Sequence, residues 1–392
     1  MKRSVQLFLA ALLCLCMLAG CAPKPDSSSV PEAGSAVSEP GAETADTQPA
    51  PSAVDPLTGA TRDSACTRRP YAVTFYNSPA ALPQWGISSA QVLIECLTEG
   101  NTTYQMGLFS AESGLPKVGP VGPARDTLLQ FAMGGNAIPV HIGQNNYAWN
   151  LLNQYAYQDI NGWYVGVSVF DMDWDRNATV SDELCWYTRQ ETLNNGLTST
   201  GVAQDGTVPG MFHFAGEAMT LPNTAASQSL TIQYAEGALA RLDWSAEAGA
   251  YLKFNSDGSA QTDADTGAQL SFNNVLVLYA SAGVKDDGYT RDYDLTQGTG
   301  LYLSGGGWQT VRWQKGEPTA PLYLYDEAGN PVALNPGRTY LGIYGGFAGQ
   351  SVQLTADGAA VELPAAPTPM ATPEPTPAPT AEPAPAESQP AA

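Results

Sequence analysis

Positive charge and histidine are scarce in this sequence. Lys and Arg number 17 against 38 Asp and Glu, there are two histidines, and the formal net charge is −21. A body so acidic is repelled by nucleic acid and by anionic lipid headgroups, which argues against both as partners. Beyond the amino-terminal leader no apolar run approaches the roughly 20 residues that a membrane-spanning helix needs. Metal-finger and redox cysteine spacings are missing, because no Cys-x-x-Cys pair occurs. There is no Gly-x-Ser-x-Gly elbow and no His-Glu-x-x-His. The run Gly119-Pro-Val-Gly-Pro123 is no phosphate loop, since prolines stand where backbone donors are needed.

What is present begins at the amino terminus. Lys2 and Arg3 precede an apolar run over 5–18 that ends in Leu18-Ala-Gly-Cys21. A basic flank, a short apolar core and small residues before the cut describe a secretory signal over 1–20. The cysteine after Ala-Gly makes it a lipoprotein signal, with Cys21 the lipidated residue, and two or three acyl chains there hold a protein stably on a membrane. Residues 21–65 turn to Ser, Pro, Ala, Glu, Asp and Thr without aromatics, a composition that cannot offset ordering entropy and predicts a disordered tether. As a coil it reaches about 35–40 Å. The tract 364–392, rich in Pro, Thr, Ala and Glu, predicts a second disordered, extended tail.

The body reads as α+β. Over 66–200, strand-like runs at 73–76, 106–109, 138–142 and 164–170 alternate with helical candidates at 88–97, 124–132, 147–155 and 183–194, an α/β texture. Ser88 followed three residues later by Gln91 has the form of a capping box. Residues 201–227 read as a connecting segment. Over 228–363 short apolar alternations at 230–234, 250–254, 274–279, 300–303, 309–313, 322–325 and 339–344 are separated by turn residues. That pattern predicts mainly antiparallel β-structure. Of the body's cysteines, Cys66, Cys96 and Cys185, two could pair or all could stay free.

Several patches then resemble a known group. They are Arg69-Pro70, Pro83-Gln84 before Gly86-Ile-Ser, Glu95, Glu99-Gly100, Gly119-Pro-Val121, Ala124-Arg125, and His141 with Gly143. In the second half they continue with Tyr289-Thr-Arg291, Gly307-Trp308, Val311-Arg-Trp313-Gln-Lys315, Gly329-Asn-Pro331 and Leu334-Asn-Pro-Gly337. Together they resemble the YerB-like family of bacterial lipoproteins, whose two-part domain has no known function. The resemblance implies a fold and a location but no activity. Glu99-Gly-Asn-Thr-Thr-Tyr104 and Gly119-Pro-Val-Gly-Pro123 each lack an arginine of the family pattern, and a later histidine is replaced around Asp175-Arg-Asn. Any anionic ligand that those groups serve should bind poorly here.

Candidate chemistry is thin. His141, in Ile138-Pro-Val-His-Ile-Gly143, could act as a base with Glu95, Glu99 or Asp126 orienting it, although a hydrogen-bonded structural histidine is the favoured reading. His213, between Phe212 and Phe214, reads as packing. Glu95 and Glu99 share a face if 88–97 is helical and could supply acid and base, but a Glu95–Arg125 salt bridge is the better expectation. Asp171, Asp173 and Asp175 open a calcium-loop pattern whose sixth position is Arg176, where Gly is required, so calcium is the one metal candidate and no other cofactor is called for. Trp149, Tyr155, Tyr157, Trp163, Tyr164, Trp174, Trp186 and Tyr187 crowd one region. Core packing is the default for them, with a glycan-binding face the alternative. Arg125, Asp126, Trp149, Trp163, Trp174 and Trp186 are the candidate binding residues. The expected protein is lipid-anchored, lies on the outer face of the membrane, and binds without catalysis at the cell envelope, with a cell-wall polymer or an envelope protein as partner. An enzyme acting on wall material through Glu95, Glu99 or His141, and a purely structural surface protein, are the alternatives.

Overall fold

The computed structural model describes residues 53–370. The leader, Cys21 and the far end of the carboxyl-terminal tail lie outside the described residues. Eleven strands form one mixed sheet. Its centre is a run of neighbours that the chain visits far apart. Asn274–Tyr279 lies parallel to Thr339–Tyr344, which lies parallel to Val92–Glu99, which in turn pairs antiparallel with Thr102–Phe109. Tyr71–Tyr76, Ile138–His141 and Ile160–Asn161 follow on one side, and Gln297–Ser304 and Gly307–Gln314 on the other. Strands from 228–363 thus occupy one side of this sheet and strands from 66–200 the other, joined where Thr339–Tyr344 pairs with Val92–Glu99. The second sheet has six strands, all antiparallel, built on Ala250–Phe254, Ala238–Ser245, Gln228–Ala235 and Ser351–Ala356.

The central strands read as continuous apolar runs because both of their faces are covered. In Asn274–Tyr279, Val275 and Val277 join the core shared with the six-stranded sheet. Leu276 and Leu278 join the core under the helix Asp126–Gly134, which contributes Leu128, Leu129, Phe131 and Ala132. The same two-sided burial overturns the helix expected over 88–97. Only Ile87–Ser89 makes a helical turn, and Val92–Glu99 is a strand. A short apolar run has no period to tell helix from buried strand, and the parallel partner, Thr339 opposite Val92, is 247 residues away in sequence.

Other expectations also yield to context. The strand expected over 164–170 is two helical turns, Gly162–Val165 and Gly166–Ser168. Asn161 caps the first, its side chain accepting from Trp163 N, and Gly166 takes φ +56° between them. The predicted disorder does not extend to residue 65. Ala53–Val54 pairs with Thr61–Arg62, the Asp55 carboxylate accepts from the backbone of Leu57 and Thr58 at 3.0 Å, and Leu57 is buried. The Asp55 turn, the buried Leu57, the Arg62–Asp55 pair and the bond from Gly337 N to Thr58 O hold that stretch in place. The helix Asn146–Gln154 forms where expected, capped by Asn145. Cys66, Cys96 and Cys185 are free thiols.

Candidate functional site

Leu93, Glu95 and Leu97 of Val92–Glu99 face the six-stranded sheet, so Glu95 is flanked by core residues. From the facing sheet, Lys253 on Ala250–Phe254 brings its ammonium to 3.2 Å from Glu95 Oε2, and both side chains are 2% exposed. Glu95 Oε1 also accepts from Asn77 Nδ2 at 3.0 Å and Thr103 Oγ1 at 2.9 Å. Its Oε2 accepts from Gln105 Nε2 at 2.8 Å and the Tyr340 hydroxyl at 3.1 Å. Lys253 donates to Gln261 at 2.6 Å, Gln261 to Gln84 at 3.0 Å, and Gln84 to Gln105 at 3.0 Å, closing a polar network that joins both halves of the chain. Burial, and then the Glu95 charge, push the Tyr234 and Tyr340 phenols well above their ordinary value. A cavity of about 360 Å³ opens over this network. Four hydrogen bonds and the Lys253 ammonium thus engage a carboxylate with about four lone-pair sites.

Glu99 does not share that site. A register shift between Leu97 and Glu99 interrupts the strand pair, and Glu99 meets Arg125, whose Nε donates to Glu99 Oε1 at 2.6 Å. The expected Glu95–Arg125 bridge is thus replaced by Glu95–Lys253 and Glu99–Arg125, because the irregularity between Leu97 and Glu99 breaks the alternation that would otherwise keep residues four apart on one face of the strand. The Arg125 guanidinium lies 4.8 Å from the Tyr104 ring centroid. Burial lowers its pKa, but the bond and charge of Glu99 more than offset this and hold it above the ordinary value. His141 is fully buried between Gly143 O at 2.8 Å and Asp159 Oδ2 at 2.9 Å, with both ring nitrogens occupied.

Arg125 lines a second, open groove of about 510 Å³. Trp163 and Trp186 line it with Tyr76, Gln144, Asn145, Asp182 and Glu183. Asn161 sets its geometry, since one side-chain oxygen accepts from Gly143 N at 3.1 Å and Trp163 N at 3.0 Å. Gly143 has φ +80°, and a Cβ there would stand 2.8 Å from the Trp163 ring, so the indole lies directly on glycine backbone. Burial, Tyr104 and Glu183 push the Tyr76 phenol up to about 12.

The remaining candidates lie elsewhere. Asp126 pairs with Lys285 at 3.0 Å, and burial raises its pKa against that cation. Trp149, Trp163, Tyr164 and Trp174 are exposed, which corrects the core-packing expectation for those four, whereas Tyr157 and Trp186 are half-buried and pack against the core. Asp171 pairs with Arg189 at 2.9 Å, while Asp173 pairs with Lys117 at 3.0 Å and caps the turn Trp174–Asn177. Among the described residues no cluster of three His, Cys, Asp or Glu is placed to hold a metal ion. His213 is exposed, not packed, because its neighbours Phe212 and Phe214 stack on each other edge to face.

Residues 57–203 match the N-terminal domain, and residues 230–341 the C-terminal domain, of a protein family of unknown function, DUF3048. The chain belongs to the DUF3048 family. One relative is YerB of Bacillus subtilis (strain 168), provisionally named a lipoprotein, which is 29% identical over 298 residues, covering 74% of this chain and 85% of that protein. The crystal structure of a YerB protein from Bacillus subtilis superposes with a TM-score of 0.66 at 25% identity, covering 76% of this chain and 99% of that one.

In this DUF3048 member the residue that the sequence reading missed most plainly is Lys253. The alternation Ala250-Tyr-Leu-Lys-Phe254 held the signal, because a period of two puts Lys253 on the same buried face as Tyr251. Gln84, Gln105 and Gln261 carried no comparable mark. Gln144 and Asn145, beside the groove, are ordinary loop amides in sequence.

Proposed function

We propose that this DUF3048 member is a lipid-anchored, extracytoplasmic protein that binds a cell-envelope ligand without catalysis, in the groove between Trp163 and Trp186. The groove is the observation that carries the reading. It gathers Arg125, Trp163 and Trp186, three of the six candidate binding residues, on one accessible surface. The catalytic candidates are dispersed and engaged: Glu95 with Lys253 and four hydrogen bonds, Glu99 with Arg125, His141 with Asp159. Attachment through Cys21 is supported by the leader pattern and by the lipoprotein name of the Bacillus subtilis relative. Cosedimentation of the full chain with purified cell walls tests the binding, with retention expected and its loss in Trp163→Ala. Release of soluble wall fragments by the wild type, abolished in Glu95→Gln, would overturn the non-catalytic reading.

A further inference from the structure

We infer that the Trp163–Trp186 groove selects an uncharged sugar, such as a wall glycan presents. This rests on the binding role proposed above and narrows it to a ligand class. Two polar atoms of side chains that line the groove are buried without a partner: Gln144 Oε1, an acceptor, and Asn145 Nδ2, a donor. Asn145 cannot exchange its amide ends freely, because its Oδ1 accepts from Ala148 N at 2.9 Å as the cap of Asn146–Gln154. The two residues are neighbours in the chain, and backbone pairing of Gln144 with Ala124 anchors them at the groove.

A ligand that satisfies both atoms must offer a donor and an acceptor. An alkylammonium offers only donors and a phosphate or carboxylate only acceptors, whereas hydroxyl and acetamido groups offer both. Charge points the same way. The one cation on the wall, Arg125, is already held by Glu99, while Asp182 and Glu183 add negative charge. An anion therefore finds no free positive partner, and carboxylates suit sugar hydroxyls as acceptors. Trp163, 66% exposed on its bed of Gly143, presents an aromatic face for the C–H face of a pyranose ring. About 510 Å³ lies within the range of roughly 300–1,000 Å³ usual for small-ligand sites.

The test is titration of the detergent-solubilised full chain by calorimetry with tetra-N-acetylchitotetraose, the sugar-free peptide Ala-Glu-Lys-Ala-Ala, and inorganic phosphate. The tetrasaccharide should bind, and Trp163→Ala and Gln144→Ala should each weaken it about tenfold, a change of about 1.4 kcal/mol. Unchanged thermal unfolding of Trp163→Ala separates lost contact from lost fold. Peptide or phosphate binding that depends on Trp163, without tetrasaccharide binding, would overturn the sugar assignment and leave the groove as a binding site. Tetrasaccharide binding that survives both substitutions would also overturn it. No retention on whole cell walls would remove the binding role itself.

Discussion

Replacing Lys253 by Met tests whether the two sheets are locked by the charge pair between them. The perturbation leaves the Glu95 carboxylate buried, at 2% exposure, without its cation. Removing one partner of a buried ion pair typically costs about 3–5 kcal/mol. Asn77, Thr103, Gln105 and Tyr340 still donate to Glu95, so the loss should fall at the lower end, about 3 kcal/mol. Against a typical total of about 5–15 kcal/mol this is large. Urea unfolding followed by far-ultraviolet circular dichroism measures it. Glu95→Gln alone should cost a comparable amount, since it strands the lysine. The double variant Glu95→Gln/Lys253→Met should recover at least about 1.5 kcal/mol relative to the sum of the singles, as expected of groups in direct contact. A loss below about 1 kcal/mol in Lys253→Met, or strict additivity in the double variant, would refute the lock.

Three further outcomes follow from the same geometry. Gly143→Ala, strained at φ +80° and 2.8 Å from the indole, should displace Trp163 and weaken wall cosedimentation at least as much as Trp163→Ala, at a stability loss of about 1–2 kcal/mol by urea unfolding. Asp263 should make the contact between the halves acid-sensitive. Burial raises its pKa, but bonds from Ser88 N, Ser88 Oγ and the backbone of Asp265 and Thr266 outweigh this and hold it below the ordinary value. Its contribution is therefore present above about pH 4 and lost as the pH falls through the folded pKa, so Asp263→Asn should flatten the dependence of the urea midpoint on pH below about 4. Cys21→Ser should move the protein from the membrane fraction to the medium, and a variant that stays on the membrane would exclude lipid attachment at that residue.

Local chemistry fixed much of this protein before any tertiary contact is considered. Turn residues and period-two alternation marked the strands over 228–363, and the pattern over 147–155 marked the helix Asn146–Gln154. The basic, apolar, small-residue pattern ending at Cys21 lies within a single short segment, so the expectation of lipidation drawn from it needs no partner elsewhere in the chain. The tertiary structure decided whatever depends on partners remote in the chain. It made 92–99 a strand by setting it beside 339–344, and it gave Glu95 to Lys253 and Arg125 to Glu99. It also turned Trp163 outward, because an asparagine two residues earlier and a glycine in another loop hold the indole at the surface. Side-chain type states what a residue could bond to, but only the closing of distant strands into one sheet brings a particular partner within about 3 Å.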